Sequence, residues 1–165
     1  MAEMWELVDI NMQKTGVLYE RGCNKPLPKG MYHVGGEIWV KNKKGQLLLT
    51  LRHPQKPSGS MWECTAGSYV AGESYTEGAA RELTEETGIK ADIKDLHLMG
   101  RRVRRSIIVE TYIYCLKGDD AQLSLQPEEV VDAKWVDIDD IKAHPNMVKN
   151  IKESFVLYEH ILRAK

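Results

Sequence analysis

The chain carries no excess charge of either sign: 23 Lys and Arg stand against 24 Asp and Glu, for a formal net charge of −1. That balance excludes a general attraction to a nucleic acid polymer or an anionic membrane, so any pull on an anion must be local. Cysteine is scarce. Cys23, Cys64 and Cys115 are odd in number and far apart, with no C-x-x-C pair; this excludes a disulfide framework and points to reduced intracellular thiols. The five histidines lack metal-ligand spacing, which argues against a zinc site. No apolar run is long enough to span a bilayer. The opening residues, MAEMWELVDINMQK, place acids where a targeting leader would be basic and then apolar. The cytoplasm is the expected compartment. Repeats, low-complexity tracts and interdomain linkers are missing too, so the 165 residues read as one domain with a sizeable core.

What is present alternates strand-like and helical patterns. Residues 5–10 and 16–20 are expected to pair as a hairpin around Asn11–Thr15, with a turn-rich connection over Lys25–Gly30. Residues 32–40 and 46–52 read as strands joined by Asn42-Lys43-Lys44-Gly45, a good hairpin turn. After a loop at 54–60, Met61–Val70 reads as extended. Further on, 95–103 and 107–116 alternate like paired strands, 117–130 is a polar loop, and Ala133–Asp137 is a short strand. One helical turn is expected over Asp139–His144, stopped by Pro145. Val148, Ile151, Phe155, Tyr158 and Leu162 follow the spacing of an amphipathic helix. Its apolar stripe is expected to dock on the core, with a homodimer seam as the alternative. Together these elements predict a mixed-sheet α/β sandwich.

One helix breaks the ordinary rules. Ser74 and Glu77 form a capping-box pattern, Gly88 fits a left-handed C-cap, and Ala79, Ala80 and Leu83 supply a small apolar side. Between those caps, Glu82, Glu85 and Glu86 sit at i, i+3 and i+4, on one face. Like charges at that spacing repel by a few tenths of a kcal/mol per pair. They also crowd the helix C-terminus, where the macrodipole favours cations. Local rules broken together point to function rather than packing. A hard divalent cation such as Mg²⁺ or Mn²⁺ would convert the repulsion into coordination.

The same stretch extends to a longer pattern: Gly67, five residues, Glu73, seven residues, then Arg81-Glu82-Leu83-x-Glu85-Glu86-x-Gly88-Ile89. This resembles the complete Nudix box. The resemblance implies a Nudix-type α/β/α sandwich with a mixed β-sheet, a single domain over residues 1–165 with an N-terminal hairpin extension at about 1–30. It also implies metal-dependent hydrolysis of a nucleoside diphosphate derivative or related organic pyrophosphate. By the same resemblance, Glu82, Glu85 and Glu86 hold Mg²⁺ or Mn²⁺ with the Gly67 carbonyl, and Glu73 pairs with Arg81 to fix the loop against the helix. The alternative for Arg81, which is four residues from both Glu77 and Glu85, is a surface ion pair of about half a kcal/mol.

The flanking residues resemble, more narrowly, the branch that includes isopentenyl diphosphate isomerases. Those enzymes carry a catalytic Cys just before the first box glycine and a metal-binding His just after it. Here Ala66 and Ser68 take those places, Cys64 is out of register, and Tyr112 stands where an isomerase Glu is expected. His33 matches an isomerase metal ligand in position, yet without its partners it reads as structural or substrate-lining. Hydrolysis is therefore the expectation, with isomerase-like chemistry or a non-catalytic nucleotide-binding module as alternatives.

Several further residues are candidates for the substrate or the base. Arg102 and Arg104 share one face of their strand and can grip a phosphate in forked hydrogen bonds, as Arg101 and Arg105 can on the other; the alternative is an edge strand protected by charge. Arg52 and Lys56 flank the loop before the box and are expected to reach a diphosphate oxygen. Trp62 and Tyr69 either stack on a base or belong to the core. Glu110, Glu128, Glu129 and the box acids all stay open as the general base. The expected partner is a small-molecule diphosphate, with no nucleic acid polymer and no membrane.

Overall fold

An alternation of buried side chains along the central strand organises the molecule, described by a computed structural model for residues 2–118 and 121–165. The loop expected over 117–130 includes 119 and 120, which lie outside the described residues, as does residue 1 of the hairpin extension. That central strand is β3 (His33–Lys41), preceded by β1 (Met4–Val8) and β2 (Lys14–Glu20). After it come β4 (Leu47–Arg52), β5 (Trp62–Glu63), β6 (Thr65–Ser68), α1 (Tyr75–Thr87), β7 (Leu96–Arg104), β8 (Ile107–Cys115), β9 (Val130–Val136) and α2 (Lys149–Ala164).

In the mixed sheet, β3 runs parallel to β8 and antiparallel to β6. The antiparallel edge strand β7 lies beyond β8, while β4 pairs with both β5 and β9. Successive side chains of β3 point to opposite faces, as strand geometry requires. Ile38 and Val40 join the cluster containing Ala79 and Leu83 of α1. Trp39 joins the cluster containing Ile151, Phe155 and Leu162 of α2. Helix, sheet and helix therefore form three layers, the expected α/β/α sandwich.

The C-terminal stripe goes to the core: Ile151, Phe155, Tyr158 and Leu162 are buried, and the Phe155 ring lies 5.7 Å from that of Trp39. Removing a ring of this kind from a core typically costs about 3–5 kcal/mol. Helix α1 has the expected punctuation. Ser74 Oγ accepts from the Glu77 N–H, Glu77 Oε2 accepts from the Ser74 N–H at 2.8 Å, and Gly88 adopts φ 76°.

Some boundaries differ from expectation. The first strand stops at Val8, because Asp9 Oδ1 accepts the N–H groups of Asn11 and Gln13 and turns the chain early. The expected hairpin of β3 with β4 is reduced to one register pair, Lys41↔Leu47. Over Gly35–Ile38 the place beside β3 belongs to β6. A Cβ on Gly35 would stand 2.8 Å from the Gly67 carbonyl oxygen, so glycine there permits the approach. β9 begins at Val130, earlier than expected, by pairing along β4. The turn before α2 starts as a 3-10 helix at Ile138–Asp140.

Candidate active site

The loop between β6 and α1 is tied down by a single ion pair. Glu73 Oε2 accepts from Arg81 Nε at 3.0 Å and Oε1 from a terminal Arg81 nitrogen at 2.9 Å. Glu73 Oε1 also accepts the Val70 N–H at 2.7 Å, and Arg81 donates to the Ser68 carbonyl at 3.2 Å. The remaining terminal nitrogen of Arg81 donates to Glu82 Oε1 at 2.9 Å and Glu85 Oε2 at 3.0 Å. One guanidinium therefore serves three carboxylates, and the Glu73 hydrogen bonds, despite opposing burial, raise its pKa further. This is a fork with fixed geometry, unlike the lone surface ion pair weighed as its alternative.

The three helix acids occupy different environments. Glu85 is exposed and Glu82 half-buried, while Glu86 is 3% exposed. Glu82 packs against Gly67, where a Cβ would stand 2.1 Å from its carboxyl carbon. Burial raises the Glu82 pKa, with Arg81 opposing. Burial also pushes Glu86 up to about 8, reinforced by repulsion from Glu63 and Glu82 and countered by Lys56 and Arg52. Among the described residues, Glu86 Oε2 is buried with no hydrogen-bond partner. A carboxylate oxygen left so is costly unless a cation meets it. Among the described residues no three acidic, His or Cys groups form a ready-made cation cage; Arg81 holds Glu82 and Glu85 instead. The fit to a divalent cation rests on the orphaned Glu86 oxygen and on a donor set made wholly of oxygens.

These acids form one wall of a cavity of about 450 Å³. Its lining includes Gly35 and Gly36 of β3 and the Ala66-Gly67-Ser68 segment of β6. Arg52, Lys56 and Arg104 line it as expected, although two already have carboxylate partners. Arg52 meets Glu63 Oε1 at 2.5 Å and the Pro57 carbonyl at 2.9 Å. Lys56 pairs with Glu129; burial and then the nearby Arg52 lower its pKa.

Arg102 departs from the expectation. It shares a strand face with Arg104 but does not line the cavity, because its guanidinium donates to both Glu37 oxygens at 2.9 and 2.8 Å. Only 15% of its side chain is exposed, so that ion pair occupies the group expected to hold phosphate.

The remaining candidates separate by position. Glu129 lines the cavity. Glu110 is fully buried elsewhere, accepting from Arg101 Nε at 2.7 Å and from the Tyr112 hydroxyl at 2.6 Å, and Glu128 is solvent-exposed outside the lining. Tyr69 is buried against Tyr75, and Trp62 stacks edge-on with His144 beneath Lys134, so neither aromatic borders the cavity. His33 stacks on Trp5 at 4.0 Å, and burial lowers its pKa to about 4. Cys64 is wholly buried away from the lining, and burial pushes its thiol well up. Glu37 and Glu63, which hold Arg102 and Arg52, belong to no motif. Each is a single acid inside an apolar strand segment, VGGEIWV and WECTA, and that was the available signal.

A family model described as NUDIX domain matches residues 31–157. The chain is 35% identical to an uncharacterized Nudix hydrolase of Listeria monocytogenes over 86% of this chain and 83% of that one. Among solved structures, it is similar to DR0079 of Deinococcus radiodurans, with a TM-score of 0.74 and 20% identity over 94% of this chain and 98% of that one. A bifunctional NMN adenylyltransferase/ADP ribose pyrophosphatase of Francisella tularensis, complexed with AMP and a manganese ion, has a TM-score of 0.64 and 16% identity. That match covers 79% of this chain and 42% of the other.

Proposed function

Because the chain belongs to the Nudix family, we propose that it cleaves the diphosphate linkage of a nucleoside diphosphate derivative or related organic pyrophosphate with Mg²⁺ or Mn²⁺. It is a Nudix pyrophosphohydrolase; the substrate range and the metal are the parts proposed. The observation carrying the proposal is the buried Glu86 oxygen, unpartnered among the described residues, on the wall of the 450 Å³ cavity that Glu82, Glu85 and Glu86 form. In this reading Glu82, Glu85, Glu86 and the Gly67 carbonyl hold the cation. When bound, it neutralises charge on the diphosphate and acidifies water.

The chain's own residues do the rest. Arg81, fixed by Glu73, keeps the acidic face aligned with β6, so the ligands arrive positioned. Arg52, Lys56 and Arg104 offer donors to phosphate oxygens. The box acids line the cavity and stay open as the general base; of the candidates outside the box, Glu129 is favoured, because it lines the cavity where Glu110 and Glu128 do not. The isomerase-like alternative is disfavoured by Ala66 and Ser68 at the reactive positions and by the wholly buried Cys64.

We place the whole of 1–165 in a single domain, with residues 1–30 as its extension, and assign it to the cytoplasm on its three free cysteines. Turnover of a panel of nucleoside di- and triphosphates, nucleotide sugars, dinucleotides and prenyl diphosphates, with Mg²⁺ and Mn²⁺, tests the proposal. Glu85→Gln and Glu86→Gln are expected to abolish turnover in proteins that still fold; unchanged activity in either overturns it.

A further inference from the structure

The cavity has two walls that the family match does not reach equally. Arg21 and Glu3 line it from the N-terminal hairpin, outside the matched residues 31–157. The hairpin is held firmly to the sheet. Leu7 and Val8 are buried, Val8 and Tyr32 exchange backbone hydrogen bonds at 2.9 and 2.8 Å, and the Ala71 N–H donates to the Met4 carbonyl at 2.7 Å. At its open end, the Arg21 guanidinium donates to Glu3 Oε2 at 2.7 Å and its backbone N–H to the Glu3 carbonyl at 2.9 Å. Glu3 thus aims Arg21 at the cavity while most of the guanidinium's donors stay unused.

The second arginine comes from the far edge of the sheet. Arg104 is exposed, lines the same cavity, and its guanidinium has no hydrogen-bond or ion-pair partner among the described residues. Strand register fixes its distance from the acidic wall. Arg104 pairs with Ile107 and Ile107 with His33, whereas Gly67, which cradles Glu82, pairs with Gly36. Along the strands three residues of β3 separate the two positions, about 10 Å, and across the sheet β7 and β6 stand three strand spacings apart, about 14 Å. Arg104 and Ile107 also line a second, open space of about 420 Å³.

We infer that Arg21 and Arg104 form a two-arginine clamp for a second phosphate of the substrate, separate from the diphosphate that is cleaved. The inference rests on the hydrolase reading and names a substrate class within it: organic diphosphates with an additional phosphomonoester. Two guanidinium forks match such a dianion: the Arg104 guanidinium is unpaired among the described residues and Arg21 gives one terminal nitrogen to Glu3, whereas Arg52 is engaged by Glu63 and the Pro57 carbonyl and Lys56 by Glu129.

Matched substrates that differ by one phosphate test the clamp: coenzyme A against dephospho-coenzyme A, and NADP against NAD. The wild type is expected to show at least about tenfold higher kcat/KM on the phosphorylated member. In the Arg21→Gln, Arg104→Gln double variant that ratio should fall to about one, and Arg21→Lys, Arg104→Lys should give an intermediate value. An equal ratio in the wild type, or a preference retained in the double variant, overturns the clamp. A metal-free titration with adenosine 2′,5′-bisphosphate and with 5′-AMP needs no turnover. Tighter binding of the bisphosphate that the double variant loses supports the clamp even if all four substrates resist hydrolysis, a result that would count against the hydrolase reading alone. Equal affinities in the wild type contradict the clamp.

Discussion

Helices α1 and α2 cover opposite faces of one sheet and obey different rules. α2 buries Ile151, Phe155, Tyr158 and Leu162 and leaves its charges outside, as a docking helix should. α1 buries Ala79 and Leu83 but also Glu86, a carboxylate oriented so that one oxygen meets nothing. Both pack against the sheet, although only α1 carries a side-chain capping box. What separates them is charge: the inward polar residue of α2 is the neutral Ser154, whereas that of α1 is the carboxyl of Glu86. The contrast teaches that the site is recognised by a packing rule broken inside an otherwise orderly element.

The widest gap between the helices should appear in activity. Glu86→Gln is expected to lower kcat by at least about a thousandfold, since a lost ligand removes the stabilisation of developing charge. The same change should leave the metal-free melting temperature equal to or above wild type, because a buried, repelled carboxylate becomes a neutral amide. Phe155→Ala should do the reverse, costing about 3–5 kcal/mol of stability in a denaturant titration while kcat of the folded fraction stays near wild type. A Phe155→Ala protein with normal stability would erase the contrast from the α2 side.

A smaller effect is expected at the floor of the site. Gly67→Ala places a methyl group where the Glu82 carboxyl packs, displacing a ligand by about 1 Å, and should cost about a hundredfold in kcat. Steady-state kinetics at saturating metal would check it. Wild-type kinetics in that variant would mean that the Glu82 position is unimportant.

The smallest effect belongs to His33, where β3 meets the hairpin through the Trp5 ring. His33 has a folded-state pKa of about 4 against an ordinary 6.5, so the folded form binds fewer protons than the unfolded form between those values. Stability is therefore expected to fall as pH drops from 6.5 towards 4, by about 1–3 kcal/mol after allowing for partial exposure. His33→Phe keeps the stack on Trp5 and should flatten that part of the stability profile. An unchanged profile would remove His33 from the account.

Much of the contrast between the helices is legible in the amino-acid sequence. The capping box, Gly88 and the acidic face are local patterns, and each appears where its spacing places it. The α2 stripe is legible for the same reason. What escapes depends on which strands become neighbours. Period-2 alternation puts Arg102 and Arg104 on one face, but it does not reveal that Glu37, two strands away on β3, lies under the first and not the second. The displacement of β4 by β6 beside β3 turns on the close approach of Gly35 and Gly67, a long-range contact. Arg21 reaches the cavity only because Val8 pairs with Tyr32, a bridge no motif announces.

The central claim is that Glu86 is kept buried for a divalent cation, and thermal melting of purified wild type and Glu86→Gln with and without Mg²⁺ tests it most directly. Saturating Mg²⁺ should raise the wild-type melting temperature by about 5–10 °C through preferential binding to the folded state. The Glu86→Gln protein, which should start level with or above wild type when metal-free, is expected to gain little. Equal Mg²⁺ shifts in the two proteins, or none in the wild type, would contradict the account.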